Sequence, residues 1–223
     1  MPERRAFAIG AHPDDVEIYC LGLLLRLQDA GWTVGWAVAT DGQAGMPAGS
    51  PIGLRRDEAL AAGATFGVEP ALLGLMDGQL IGAPEEARAV RTAIATFRPT
   101  VLITHAGDDY HPDHRTLSRL VAEACPPEAA LLFAEPMLGG GATPELLVDI
   151  TDQQDRKRAA LAAHTSQSAP EFLPALDTWS RFRALHCGVR GACHAEGFFI
   201  QRSVASAANT AELLRATLPG PGR

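Results

Sequence analysis

The sequence predicts an α/β fold: a mostly parallel sheet covered on both faces by helices. Three observations lead there. Short apolar, β-branched runs recur along the 223 residues, each followed by a helix-like segment. With 47% hydrophobic residues, the chain can bury a substantial core. No linker and no internal repeat splits it, so residues 1–205 read as one domain, with 206–223 as an Ala-, Thr- and Pro-rich tail prone to fray.

The elements follow in order. AFAIGAH (6–12) reads as the first strand, and 15–30 as a helix with Tyr19, Leu23 and Leu27 at spacing four. TVGWAVAT (33–40) is the second strand, and the Gly/Pro-dense stretch 41–53 after it is a long surface loop. A helix over 54–66 precedes the strand ALLGL (71–75). Pro84 and two glutamates then open a helix over 84–97. TVLITH (100–105) is a strand and 112–124 a helix, followed by the strands ALLFAEP (130–136) and LLVDI (146–150). Helices over 152–164 and 171–185 and a short strand GFFIQR (197–202) complete the reading.

Charge narrows the function. The formal net charge is −7, with no run of five Lys or Arg, which argues against nucleic acid and anionic membrane as partners. The apolar run after MPERR is too short for a signal-peptide core or a membrane span. Cys20, Cys125, Cys187 and Cys193 form no CxxC pair, as suits a reducing cytoplasm.

Two stretches carry chemistry. In sheets of this kind ligands bind outside the carboxyl ends of the strands, and His12 and His105 both sit at such ends. AHPDD (11–15) follows the first strand; HPDH (111–114) comes within ten residues of His105. Pro112 suits the first helical position, which puts His111 and His114 on one side of the first turn. Either motif alone reads as a capped helix start. Together, histidines and carboxylates without thiolates suggest a catalytic metal site with three protein ligands and one open position. HExxH, GxSxG, a phosphate loop and GxGxxG are all absent.

These two motifs resemble those of the LmbE-like (PIG-L) zinc-dependent de-N-acetylases. Weaker matches follow in order: Arg55 and Glu58 in LRRDEALAAGATFGV, Asp77 in LGLMDGQL, then KRAALAAHTSQ (157–167) and CHAEGFFI (193–200). The resemblance spans nearly the whole chain and implies a Rossmann-like three-layer sandwich. It implies that His12, Asp15 and His114 bind Zn²⁺, with another divalent metal also admissible. Asp14 would be the general base, and a protonated His111 the acid that also steadies the oxyanion. Asp113 would favour that protonated state and hold the ring's tautomer, or serve as a helix N-terminal charge; the two are compatible.

Arg55 and Asp77 look like the family's contacts to sugar hydroxyls; read alone, they are a solvated helix charge and a turn residue. The implied activity is removal of an N-acetyl group from an N-acetylglucosamine-type compound, closest in look to the bacillithiol-pathway N-acetylglucosaminyl malate deacetylases. The rival readings are an amidase acting on a sugar–thiol conjugate and a non-catalytic metal-stabilised binding protein. The expected partner is a small amino-sugar substrate, in the cytoplasm, and a homo-oligomer is admitted.

Other candidates read as structural. Tyr110 stands immediately before HPDH, where the family's tyrosine stands two positions before it, and reads as a packed aromatic. LHCGVRGACH (185–194) has Cys spacing too wide for a zinc knuckle. His164 and Glu196 read as core hydrogen-bonding groups. Trp32, Trp36 and Trp179 read as core or subunit contacts.

Overall fold

The computed structural model describes residues 3–138, 141–167, 169–201 and 203–217. The strands are β1 (Arg5–Gly10), β2 (Thr33–Thr40), β3 (Ala71–Leu75), β4 (Val101–His105), β5 (Ala130–Ala134), β6 (Leu146–Asp149) and β7 (Ala195–Gln201). The helices are α1 (Asp15–Tyr19), α2 (Leu21–Asp29), α3 (Leu54–Ala64), α4 (Pro84–Phe97), α5 (Pro112–Ala124), α6 (Gln154–Leu161), α7 (Phe172–Ala184) and α8 (Ala207–Thr217). Among these residues the strands form one sheet in the order β3-β2-β1-β4-β5-β7-β6. Strands β1 to β5 pair in parallel, while β7 runs antiparallel to both β5 and β6. The sheet is therefore mostly parallel, and the fold is α/β.

Strand side chains alternate between two cores. Ala6, Ala8, Val101 and Ile103 face the layer built from α1, α2, α3, α6, α7 and α8. Phe7, Ile9 and Leu102 face α4 and α5 on the other side. Burial on both faces is why these strands read as nearly continuous apolar runs. Trp32 and Trp36 are buried in the first core and Trp179 packs against it, so all three are core residues.

Two helices depart from the sequence reading. The helix expected over 15–30 is interrupted at Cys20, whose φ of −150° lies outside helical geometry. Buried side chains occupy the break. Glu196 accepts the Gly22 and Leu23 N–H groups at 2.8 Å, and Lys157 Nζ donates to the Ile18 carbonyl at 2.8 Å. Side chains inserted into the helical ladder are a recognised cause of such breaks. Of the tail expected over 206–223, residues 207–217 form the helix α8, and 218–223 lie outside the described residues. Leu213 anchors it fully buried in the first core, and Arg4 pairs with Glu212 at 2.6 Å.

Close packing is explicit at Gly63 on α3. A Cβ there would stand 2.5 Å from the Val68 carbonyl oxygen. That oxygen cannot easily yield, because it accepts the Trp36 indole N–H at 2.8 Å. We expect Gly63→Ala to cost about 1–3 kcal/mol by overpacking, despite alanine's better helix propensity. Urea unfolding of the variant checks this, and an unchanged midpoint would contradict the packing argument.

The strand order reverses between β1 and β4. Chain leaving β1 turns toward β2, chain leaving β4 turns toward β5, and a crevice opens at their carboxyl ends. Both histidine motifs are delivered to that crevice.

Candidate active site

After β1 the chain bends sharply. Asp14 has φ 113° and ψ −23°, a conformation rare for a side-chain-bearing residue. Gly10 leaves the close approach this bend needs, since a Cβ there would sit 2.8 Å from the Asp15 Cβ. Asp15 then opens α1 and turns its Oδ2 back to accept the His12 N–H at 2.6 Å. On the β4 side, His111 is the N-cap of α5, its Nδ1 accepting the Asp113 N–H at 3.2 Å, with Pro112 at the first helical position.

These turns bring three donor atoms together. His12 Nδ1 and His114 Nε2 are 3.2 Å apart, and Asp15 Oδ2 lies 3.3 Å from each. Four-coordinate nitrogen and oxygen ligands at bonds of about 2.0–2.2 Å stand roughly 3.3–3.6 Å from one another. The triangle has that size. Asp77 Oδ1 lies 3.0 Å from the other ring nitrogen of His12, and Asp109 Oδ2 lies 3.0 Å from the other ring nitrogen of His114. Each carboxylate fixes the tautomer that turns a lone pair into the triangle.

His105 is a rival donor, since Asp15, His105 and His114 also cluster. Its Nε2 is 3.2 Å from Asp15 Oδ2, yet the same nitrogen accepts the Ala11 N–H at 3.0 Å. The lone pair a metal would need is thus already engaged. His12, Asp15 and His114 fit a divalent cation better.

Electrostatics agree with that donor set. Burial opposes charge on His12, but Asp15 and Asp77 outweigh it and raise the ring's pKa to about 10. Burial likewise opposes charge on His114, which Asp15 and Asp109 raise to about 9. Asp15 resists its own burial because His114 and His105 hold its carboxylate well below the usual range. The cluster favours positive charge at its centre. Asp14 behaves differently: burial, helped by Asp15, pushes its carboxyl up to about 7 against the pull of Arg55. A carboxyl titrating near neutrality suits a general base.

The cluster floors an open cavity of about 400 Å³, which His12, Asp14, Asp15, Arg55, Asp77, His111 and His114 all line. The structure thus gathers seven of the eight residues singled out for site roles, and Asp113 lies just behind them. It also revises what several of them touch.

The Asp113 carboxylate does not face His111. It accepts the Gly78 and Leu80 N–H groups at 2.7 and 3.3 Å and lies 3.4 Å from His12 Nε2; only its backbone N–H meets the His111 ring. Nor is His111 placed to carry charge. Burial, then the neighbouring His12 and His114, hold its pKa below the ordinary imidazole range. Asp113 and Asp15 pull the other way, and because Nδ1 is an acceptor the neutral form of the ring carries its proton on Nε2.

Arg55 is buried rather than a solvated helix charge. It donates to the Pro13 and Gly42 carbonyls and pairs with Asp14 Oδ1 at 3.1 Å. Gly42 is required there, because a Cβ would stand 2.8 Å from Pro13 Cδ and 3.0 Å from Arg55 Cδ, at φ 67°. Tyr110, expected to be packed, is 52% exposed and lines the cavity edge-on to His111.

Sequence reasoning missed Asp109, although an acid two residues before the N-cap His111 was a visible turn signal; its Oδ1 accepts the His111 N–H at 2.9 Å. It also missed Glu58 as an anchor. Glu58 accepts hydrogen bonds from Thr165 and Ser166 and so pins the segment that brings Gln167 to the cavity. His164 sits in a buried pair with Glu17 at 2.8 Å.

The chain is similar to known proteins. The chain is 29% identical over 239 residues to 1D-myo-inositol 2-acetamido-2-deoxy-alpha-D-glucopyranoside deacetylase of Nakamurella multipartita, covering 76% of this chain and 81% of that one. It is 30% identical over 190 residues to a probable N-acetyl-alpha-D-glucosaminyl L-malate deacetylase of Bacillus cereus, covering 74% and 84%. The 4-carboxy-2-hydroxymuconate hydratase of Pseudomonas putida superposes with a TM-score of 0.80 at 18% identity, over 90% and 97% of the two chains, a likeness of fold alone. Residues 7–125 match the family described as PIG-L: GlcNAc-PI de-N-acetylase. The chain belongs to the PIG-L family.

Proposed function

We propose that this protein is a zinc-dependent N-deacetylase that hydrolyses the acetamide of an N-acetylglucosamine-type compound. The observation that carries this reading is the donor triangle of His12, Asp15 and His114 with the Asp14 carboxylate beside it, held by Arg55 at 3.1 Å. Those three residues would hold the metal, and two imidazoles with one carboxylate suit zinc. When bound, the metal supplies Lewis acidity and makes water nucleophilic at neutral pH.

The chain's own residues do the rest. Asp14 takes a proton from the attacking water while Arg55 holds its Oδ1 in place. With His111 neutral, its Nε2–H serves as a hydrogen-bond donor to the oxyanion. The proton collected by Asp14 is then the one returned to the leaving amine. Asp77, Asp109 and Asp113 are positioning residues, and Asp77 and Arg55 also offer the polar wall that sugar hydroxyls need. A cytoplasmic setting suits the four free thiols, and no helix among the described residues is long and apolar enough to cross a membrane.

Asp109→Asn removes the charge behind His114 but keeps the shape. The affinity for zinc should fall about 10–100-fold. Competition with a chromophoric chelator measures it, and wild-type affinity would remove Asp109 from the metal's support.

The activity is tested by offering metal-loaded protein a panel running from free N-acetylglucosamine to its malate and inositol glycosides. Equal amounts of acetate and free amine are expected from at least one glycoside, lost on chelation and restored by metal. No acetate across the panel, with metal bound, would overturn the deacetylase reading and leave the family membership and the fold.

A further inference from the structure

The cavity lining combines charged and apolar side chains, and the two kinds meet different donors of the triangle. The His12 side is polar: Asp77 lies 3.0 Å from His12 Nε2, the Gly45 N–H is 3.2 Å from Asp77 Oδ2, and Arg55 reaches Asp14 at 3.1 Å. The His114 side is apolar. The rings of Tyr19 and Tyr110 stand edge-on to His114 with centroids 6.0 and 6.4 Å away, and Ile18, Met137 and Phe172 also line the cavity. The wall is preformed, because the Tyr110 N–H donates to the Leu138 carbonyl at 3.2 Å and ties the two outer loops together.

A hexosamine's hydroxyls find their charged partners at Asp77 and Arg55, on the polar wall. On the amide-hydrolase reading above, which this inference requires, the scissile amide lies over the triangle beside Asp14. The sugar nitrogen then points to the polar wall, and the substituent on the acyl carbon points to the apolar one. A single methyl covers little of this lining, in which Tyr110 is 52% and Met137 36% exposed, and exposed apolar surface beside a reactive centre is a binding signal. We infer that this wall is an acyl subsite and that the protein removes linear N-acyl groups of roughly four to six carbons at least as well as acetyl. The reaction balances as before: water's oxygen joins the acyl carbon, the C–N bond breaks, and a water proton ends on the amine, giving carboxylate and free amine.

The test compares N-acetyl, N-butyryl and N-hexanoyl forms of one glucosamine glycoside on the metal-loaded protein. The butyryl and hexanoyl forms should match or exceed acetyl in kcat/KM, and Phe172→Ala should cut the hexanoyl-to-acetyl ratio about tenfold. Acetyl release with the longer chains at least tenfold slower would overturn the acyl subsite and leave the deacetylase intact. Calorimetry with acetate, butyrate and hexanoate gives a readout that needs no turnover. Affinity should rise about fourfold for each methylene buried. Equal affinities would overturn the inference. Graded affinities without cleavage of any amide would support the apolar subsite and sink the hydrolase reading instead.

Discussion

Asp14→Asn should lower turnover about 10²- to 10⁴-fold while zinc content stays at one ion per chain. The Asp14 carboxylate is not one of the three donor atoms; its Oδ1 faces Arg55 at 3.1 Å. Asparagine keeps the shape and still accepts from Arg55, but it cannot take up a proton. It is also among the few residues that tolerate the positive φ of 113° found there, so the turn survives. Steady-state kinetics with metal analysis on the same preparation separates the outcomes. Retained activity would remove Asp14 as the base. Loss of zinc would mean that the two adjacent acids have exchanged duties.

The largest stability effect is expected at Lys157. Its Nζ donates to Glu196 Oε1 at 2.7 Å and to the Ile18 carbonyl at 2.8 Å, and both charged side chains are almost wholly buried. Lys157→Met strips the counter-charge from Glu196 and leaves a buried carboxylate held only by the Gly22 and Leu23 N–H groups. Breaking such a pair from one side costs about 3–5 kcal/mol. Because the pair sits where α1 meets α2, the loss should also loosen the turn that carries Asp14 and Asp15. Urea unfolding measures the first effect. A change below about 1 kcal/mol would show that the N–H groups alone satisfy Glu196.

Much of this was legible in the sequence, for identifiable reasons. The strands stood out because burial on both faces turns them into continuous apolar runs, as in TVGWAVAT and TVLITH. The candidate donors stood out because His12, Asp15 and His114 lie in two short motifs at strand ends, where an open parallel sheet puts its ligands. The helix break at Cys20 was hidden. Its cause is Glu196, 174 residues from Gly22 in the chain, and no local propensity encodes that contact. The helix α8 was hidden because a single fully buried anchor, Leu213, holds a segment whose composition resembles a loose tail.

The partners of charged residues were the least visible. Asp77 reads as a turn residue or a sugar contact until the fold places its carboxylate on His12. Asp113 reads as His111's partner because they are neighbours, yet helix geometry sends its side chain toward the turn at 78–80 and leaves only its N–H for the imidazole.

Zinc stoichiometry tests the central claim most directly, by equilibrium dialysis of wild type, His12→Ala and His105→Gln, each first shown to be folded. The geometry predicts one ion per chain in the wild type and in His105→Gln, and little or none in His12→Ala. Full occupancy in His12→Ala with loss in His105→Gln would move the metal to Asp15, His105 and His114, and the account of the site would have to be rebuilt around that cluster.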